Sequence, residues 1–176
     1  MSSIYKGYPI IEMVKSFRST YEIASFSNRI IPEVKMIPID RRGVAPSLKK
    51  CLDEKGIINC ISKEVMSLND EGKKNIGIIC KNQCRAENIY KKLKLLFDKD
   101  ISLLTSEMDI FPEGVIITTV SLSKGLEFDA VIVPDVNEEN YYSEHDRKLL
   151  YIACMRALHR LVLLYTGKIS KLLPID

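Results

Sequence analysis

This sequence predicts an α/β domain built on a mostly parallel sheet, and three observations lead there. Apolar runs rich in β-branched residues recur at Asn75–Cys80, Val115–Val120, Ala130–Pro134 and Leu161–Tyr165, each the length of a buried strand. After the first of them, Ala86, Ile89, Tyr90, Leu93, Leu96 and Phe97 fall at i, i+3, i+4, i+7, i+10 and i+11, the spacing of one helix face, with Lys91, Lys92 and Lys94 off it. The chain has 176 residues, 46% of them hydrophobic, enough apolar material for one ordinary domain spanning 1–176. Strands separated by helices at this spacing favour parallel pairing through crossovers.

Composition excludes several classes. No apolar run approaches the roughly 20 residues needed to span a bilayer, and the N-terminus lacks the apolar core of a signal peptide. The expectation is a soluble, cytoplasmic protein with no membrane partner. Cys51, Cys60, Cys80, Cys84 and Cys154 form an odd set without a disulfide-framework spacing. Cys80 and Cys84 have no second cysteine pair to complete a tetrahedral site, and His145 and His159 lie far off in sequence, so no metal is expected. Reduced thiols fit better. The net charge of +3 is uneven: residues 1–100 hold 19 Lys+Arg against 12 Asp+Glu, and residues 101–176 hold 7 against 11. A basic first half suits a nucleic-acid or polymerase surface, although lysines on solvated helix faces give the same count.

In chain order, residues 1–15 contain one apolar run, Pro9-Ile10-Ile11, and read as an edge strand or an irregular lead-in. Ser19 followed by Glu22 has the form of a capping box, with Ile23, Phe26 and Ile30 continuing at helical spacing. Arg18 then stands just before a helix N-terminus, where Glu22 is one available partner. The stretch from Pro32 to Lys74 carries Pro38, Pro46 and the charged turn Asp40-Arg41-Arg42-Gly43, then short helices across Leu48–Leu52 and around Ile58–Leu68. A short strand near Ile101–Leu104 precedes the segment that organises the chain.

That segment is a polar loop between the Val115–Val120 and Ala130–Pro134 strands. Gly125 allows close backbone approach or positive φ, Glu127 can accept from a ribose hydroxyl, and Ser121, Ser123 and Lys124 can donate to phosphates. In a parallel sheet ligands bind beyond the carboxyl ends of the strands, where this loop is expected to emerge. A plain alternative is an ion pair between Lys124 and Glu127. Further on, Asp146 to His159 reads as one helix, apolar almost all round and therefore buried. Arg156 on such a helix needs an anion, either a carboxylate of the domain or a phosphate.

The run from Thr119 to Asp129, with Ser123-Lys124-Gly125-Leu126-Glu127-Phe128-Asp129 at its heart, resembles a motif of the UvrD-like helicases of superfamily 1. The later Leu150-Tyr151-Ile152-Ala153-Cys154-Met155-Arg156-Ala157 resembles that family's helix ending in T-R-A, and Lys15-Ser16-Phe17-Arg18-Ser19-Thr20 resembles its N-Y-R-S-T segment. The HelD branch, whose members associate with bacterial RNA polymerase, is the nearest in pattern. Roughly forty residues between the matched motifs leave no room for the large subdomain that UvrD inserts there.

The resemblance implies the second RecA-like motor domain, a three-layer α/β/α fold of the P-loop NTPase type without its own P-loop. It implies that Arg18 and Arg156 reach the γ-phosphate of ATP held with Mg²⁺ on a missing N-terminal motor domain, and that Glu127 lies near the sugar, with Gly125 and Lys124 lining the nucleotide. It also implies single-stranded DNA along Ser121, Ser123 and the Lys81-Asn82 pair after the first strand. Phe17 and Met155 depart from the family's tyrosine and threonine.

Neither a G-x-x-x-x-G-K-[ST] loop nor a D-E-x-Q stretch occurs, so this chain alone is expected to hold half of an ATP site and to be inactive by itself. A non-catalytic module docking on RNA polymerase or nucleic acid is the second reading. An unrelated nucleotide-binding domain is disfavoured, because no glycine-rich turn follows a strand.

Overall fold

A two-residue parallel pair, β1 (Lys15–Ser16) with β2 (Ile37–Pro38), flanks helix α1 (Tyr21–Ile30). There follow β3 (Ser47–Lys50), α2 (Glu54–Asp70), β4 (Ile76–Cys80), α3 (Gln83–Lys94), β5 (Ile101–Leu103), β6 (Val115–Thr119), β7 (Phe128–Val133), α4 (Glu144–Cys154) and β8 (Ala157–Tyr165). The computed structural model describes residues 15–16, 18–33, 36–97, 101–106 and 113–175, so the Pro9-Ile10-Ile11 run and Phe17 lie outside the described residues. Strands β3 to β8 form one sheet in the order β3-β8-β7-β4-β6-β5, parallel at every junction.

Every residue of β4 and β6 is buried, as expected of strands covered on both faces. Alternation sends Ile78 and Cys80 toward α2 and α3, where they meet Ile57, Ile61, Ala86 and Ile89. Ile79 points the other way, into the layer of Ile23, Phe26, Leu150 and Ala153 from α1 and α4. Helices thus cover both faces of the sheet, the three-layer α/β/α arrangement.

Three local expectations change. Leu48–Leu52 is not helical: Ser47–Lys50 pairs in parallel with Val162–Tyr165 as the edge strand β3, because a parallel neighbour outweighs a weak local preference. Ser19 does not cap α1. The N-cap is Thr20, with no side-chain bond, while the Ser19 hydroxyl donates to the Ala157 carbonyl at 2.7 Å and Glu22 accepts from the Gly43 amide at 2.8 Å. The predicted Asp146–His159 helix ends at Cys154, and Ala157, Leu158 and His159 belong to β8. The start of α4 has a signal of its own, a capping box between Ser143 and Asp146. Its buried side is Asp146, Leu150, Ala153 and Cys154, whereas Leu149, Tyr151 and Ile152 are half-buried.

All five cysteines are free, and burial pushes the Cys51 and Cys80 thiols up to about 12, which keeps them protonated. Among the described residues no helix is long and apolar enough to cross a membrane.

Candidate nucleotide-facing site at the amino edge of the sheet

The loop from Val120 to Glu127 leaves the carboxyl end of β6 and returns to the amino end of β7. Register locates both ends: Thr119 sits level with Cys80 of β4, and Ala130 level with Ile76. Glu127 therefore lies about 20 Å along the strands from Thr119 at roughly 3.3 Å per residue. This corrects the expectation that the whole loop sits at the carboxyl edge. Only its first residues do, and Glu127 faces the opposite end of the sheet.

The loop is shaped by its own hydrogen bonds. Ser123 is fully buried, its amide donating to Thr119 O at 2.9 Å and its hydroxyl to Val120 O at 2.8 Å. The Leu122 amide donates to Thr119 Oγ1 at 3.3 Å. Gly125 takes φ +86° with open space where a Cβ would be, so a side chain there would meet backbone strain rather than a clash. Ser121 and Lys124 are exposed.

At the amino edge three predicted residues come together. Arg156 lies in the turn between α4 and β8, and its carbonyl accepts the Phe128 amide at 3.0 Å, so it sits beside the residue after Glu127. Arg18 is drawn in by its neighbours: besides the Ser19 bond to Ala157, the Thr20 amide donates to Leu158 O at 3.2 Å. Its guanidinium pairs through Nε with Glu127 Oε1. Glu127 therefore pairs with Arg18 and not with Lys124, and Arg18 pairs with Glu127 and not with Glu22.

Arg156 has no carboxylate within ion-pair distance among the described residues. Its NH1 donates to Leu126 O at 3.3 Å, and its Nε is buried without a partner. Burial, and then the nearby Arg18 charge, push its pKa below the ordinary guanidinium value against the opposing pull of Glu127. Arg18 thus takes the one carboxylate at this edge and Arg156 feels it only at longer range, an arrangement that favours a further anion.

The Lys81-Asn82 pair stands at the other edge with structural partners. Asn82 caps α3, its Oδ1 accepting the Arg85 amide at 2.9 Å. Lys81 pairs with Asp146 at 2.6 Å, donates to the Asn140 carbonyl and lies 5.3 Å above the Tyr141 ring. Two arginines beside the amino-edge cluster escaped the sequence reading as site residues: Arg41 donates to the Arg18 carbonyl at 3.2 Å, and Arg42 lies 4.2 Å over the Tyr21 ring. The Asp40-Arg41-Arg42-Gly43 turn was the available signal. Among the described residues no group of three or more His, Cys, Asp or Glu could hold a metal ion.

The fold and this cluster define a parallel-sheet α/β domain that presents arginines and a carboxylate from its amino edge. The profile of the UvrD-like helicase C-terminal domain matches residues 114–164. The chain is 34% identical, with a TM-score of 0.77, to the crystal structure of the C-terminal domain of a possible DNA helicase from Lactobacillus plantarum WCFS1, covering 90% of this chain and 92% of that one. It belongs to the UvrD-like helicase C-terminal domain family.

A protein of Acanthamoeba polyphaga mimivirus named "Putative ATP-dependent DNA helicase" is 27% identical over 177 residues, covering 85% of this chain and 25% of that protein. This chain thus spans about a quarter of that relative's length. The arterivirus nonstructural protein 10 helicase, solved with DNA, matches at 12% identity and a TM-score of 0.50, over 68% of this chain and 28% of that one, and shows the fold alone.

Proposed function

We propose that this chain is the second motor domain of an ATP-dependent superfamily 1 helicase or translocase moving 3′ to 5′ on DNA, and that it completes an ATP site whose phosphate loop stands on a separate N-terminal motor domain. The observation that carries the reading is Arg156: a half-buried guanidinium with a buried, unpartnered Nε, beside a second arginine. Opposite a bound nucleotide, Arg156 and Arg18 would place positive charge on the transferring γ-phosphoryl group, where arginine fingers act. Glu127 would exchange Arg18 for a ribose hydroxyl, Gly125 would let the backbone approach, and Lys124 would supply a mobile donor to phosphate. Mg²⁺ would be held by the other domain, so no step here runs through it.

Single-stranded DNA would follow the carboxyl edge along Ser121, which is exposed, and the adjoining Lys81-Asn82 pair. Ser123 would serve by holding the loop, its hydroxyl being committed to Val120. One loop, anchored at the DNA edge and ending at Glu127, would then link strand binding to the nucleotide. Within the family we place the chain nearest HelD, on its short α1-to-β4 connection, which makes RNA polymerase a candidate partner.

The test joins this chain to its N-terminal motor domain and measures ATP hydrolysis with and without single-stranded DNA. DNA-stimulated turnover that Arg156→Ala abolishes is expected. A folded two-domain protein that binds ATP and single strands but never hydrolyses, or one that binds polymerase and not DNA, overturns the motor reading in favour of a docking module. The chain alone should bind ATP more weakly than about millimolar, since only half the site is present.

A further inference from the structure

We infer that Arg41 and His159 form a positioning pair that holds Arg18 in place, and that protonating His159 releases it. The starting point is a bulge in β8. Phe128 pairs with Ala157 and Ala130 with Arg160, so two residues of β8, Leu158 and His159, stand opposite the single Asp129. An extra residue of this kind bends a strand and re-aims its groups. The Leu158 carbonyl accepts the Thr20 amide, and His159 meets Arg41.

Arg41 binds the segment carrying Arg18 at two points. Its carbonyl accepts the Tyr21 amide at 2.8 Å, and its NH1 donates to Arg18 O at 3.2 Å. The turn around it lies against the same segment: a Cβ on Gly43 would come within 2.5 Å of Thr20 Cγ2. Arg41 NH2 is 3.1 Å from both His159 Nδ1 and Nε2. A nitrogen equidistant from both ring nitrogens at that range lies over the face of the imidazole and not in line with either lone pair. Stacking of this kind suits a neutral ring and is repelled by a cationic one.

Among the described residues the charged groups facing His159 are Arg41, Lys73 and Asp129. Burial, then Arg41 and Lys73, hold its pKa below the ordinary value, with Asp129 opposing. Asp129 is partly committed elsewhere, its Oδ2 accepting the Lys74 and Asn75 amides at 2.9 and 3.1 Å. His159 is therefore held toward its neutral form and takes a proton only in more acid solution than an ordinary histidine. The imidazolium then repels Arg41, the Arg18 carbonyl loses a donor, and the Arg18 guanidinium loses its fixed approach to the phosphoryl group. Arg41 touches no substrate in this scheme. The inference rests on the proposed role of Arg18 at the γ-phosphate.

Two experiments test it. In this chain, the His159 pKa followed by NMR should rise in Arg41→Gln; an unchanged value overturns the pair. In the protein carrying both motor domains, kcat should fall in acid, at a pH below the ordinary histidine range, and His159→Gln should remove that acid limb. His159→Lys, which places a permanent cation under Arg41, should lower kcat about tenfold at pH 8 with KM for ATP nearly unchanged, since small misplacement of a catalytic group costs on this scale. Arg41→Gln should match that loss and add little to it, whereas Arg41→Lys should recover part of it. Wild-type kcat in both His159→Lys and Arg41→Gln overturns the inference. Arg18→Ala separates the two readings: if it leaves kcat intact, the proposed role of Arg18 fails, and if it alone lowers kcat, only the positioning pair fails.

Discussion

The two edges of the sheet treat charge differently. At the carboxyl edge Arg85 holds Asp135 through two bonds of 2.6 and 3.0 Å and reaches Glu54 at 2.8 Å, Lys92 meets the same Glu54 at 2.6 Å, and Lys81 meets Asp146. These groups are compensated within the domain, and they tie the starts of α2, α3 and α4 to the loop after β7. At the amino edge Arg18 pairs with Glu127, and Arg156 Nε has no partner among the described residues. Charge that is matched internally maintains architecture, and charge left over is available to a ligand. Substitutions of Arg85, Asp135 and Asp146 at the first edge should therefore register in stability, and those at the second in turnover.

The largest effect expected is at Arg156. In a protein with both motor domains, Arg156→Lys keeps the charge and loses the planar fork, and kcat should fall about a hundredfold, below the roughly 10³–10⁵ attributed to whole arginine fingers. KM for ATP and the melting temperature of the variant should stay close to wild type. A stable variant with wild-type turnover would move Arg156 to the architectural edge.

Next comes Asp135. It takes a left-handed φ of 58° and its carboxylate is largely buried against Arg85. Asp135→Asn tolerates that backbone but strands the guanidinium, and should cost about 2 kcal/mol of unfolding free energy in this chain, less than the 3–5 for a fully buried pair because Arg85 keeps Glu54. Denaturant titration measures it, and a loss below about 0.5 kcal/mol would break the comparison, as that is the range of exposed pairs.

Asp146 sharpens it through pH. Burial opposes its ionisation, but the Lys81 ammonium and the Ser143 and Tyr142 amides outweigh this and hold its carboxyl well below the usual range. A depressed folded value means stability that is present above the unfolded value, near pH 4, and lost as pH falls through the folded one. Asp146→Asn should cost about 1.5 kcal/mol at pH 7, through the cap and the ion pair, and progressively less in acid. Equal costs at pH 7 and pH 3 would contradict the assignment.

The smallest effect is expected at Glu127. Both partners of the Arg18–Glu127 pair are nearly half exposed, at 47% and 41% of their side-chain surfaces. Glu127→Gln should change stability by less than about 0.5 kcal/mol while raising KM for ATP in the two-domain protein. A large stability loss with unchanged KM would assign the pair to architecture.

How much of this was legible depended on where each interaction is made. The strands read at 75–80, 115–120 and 130–134 and the helices read around 58–68 and from Ala86 to Phe97 announce themselves by apolar runs and period, properties of consecutive residues, while their ends shift by a few positions in the fold. Strand β3 does not: Ser-Leu-Lys-Lys has little strand character, and its partner Val162–Tyr165 lies more than a hundred positions on. Arg18, Glu127 and Arg156 were readable as motif members, but their pairing was not, and local spacing offered Glu22 and Lys124 as partners in place of the true one. The Arg41–His159 contact and the β8 bulge left no trace beyond a charged turn.

Period, polarity and the Ser-Lys-Gly-Leu-Glu run by themselves determined the α/β class, the buried strands and the family, because those signals are carried by neighbouring side chains. Tertiary structure alone decided that the Val120–Glu127 loop crosses the sheet from one edge to the other. It also decided that Ser19, 138 positions from Ala157, spends its hydroxyl on β8 and not on capping a helix, and that Arg156 is left short of a partner. Register and the pairing of distant charges are fixed only when the sheet closes, since a donor's choice among acceptors depends on which one the packed core brings within about 3 Å.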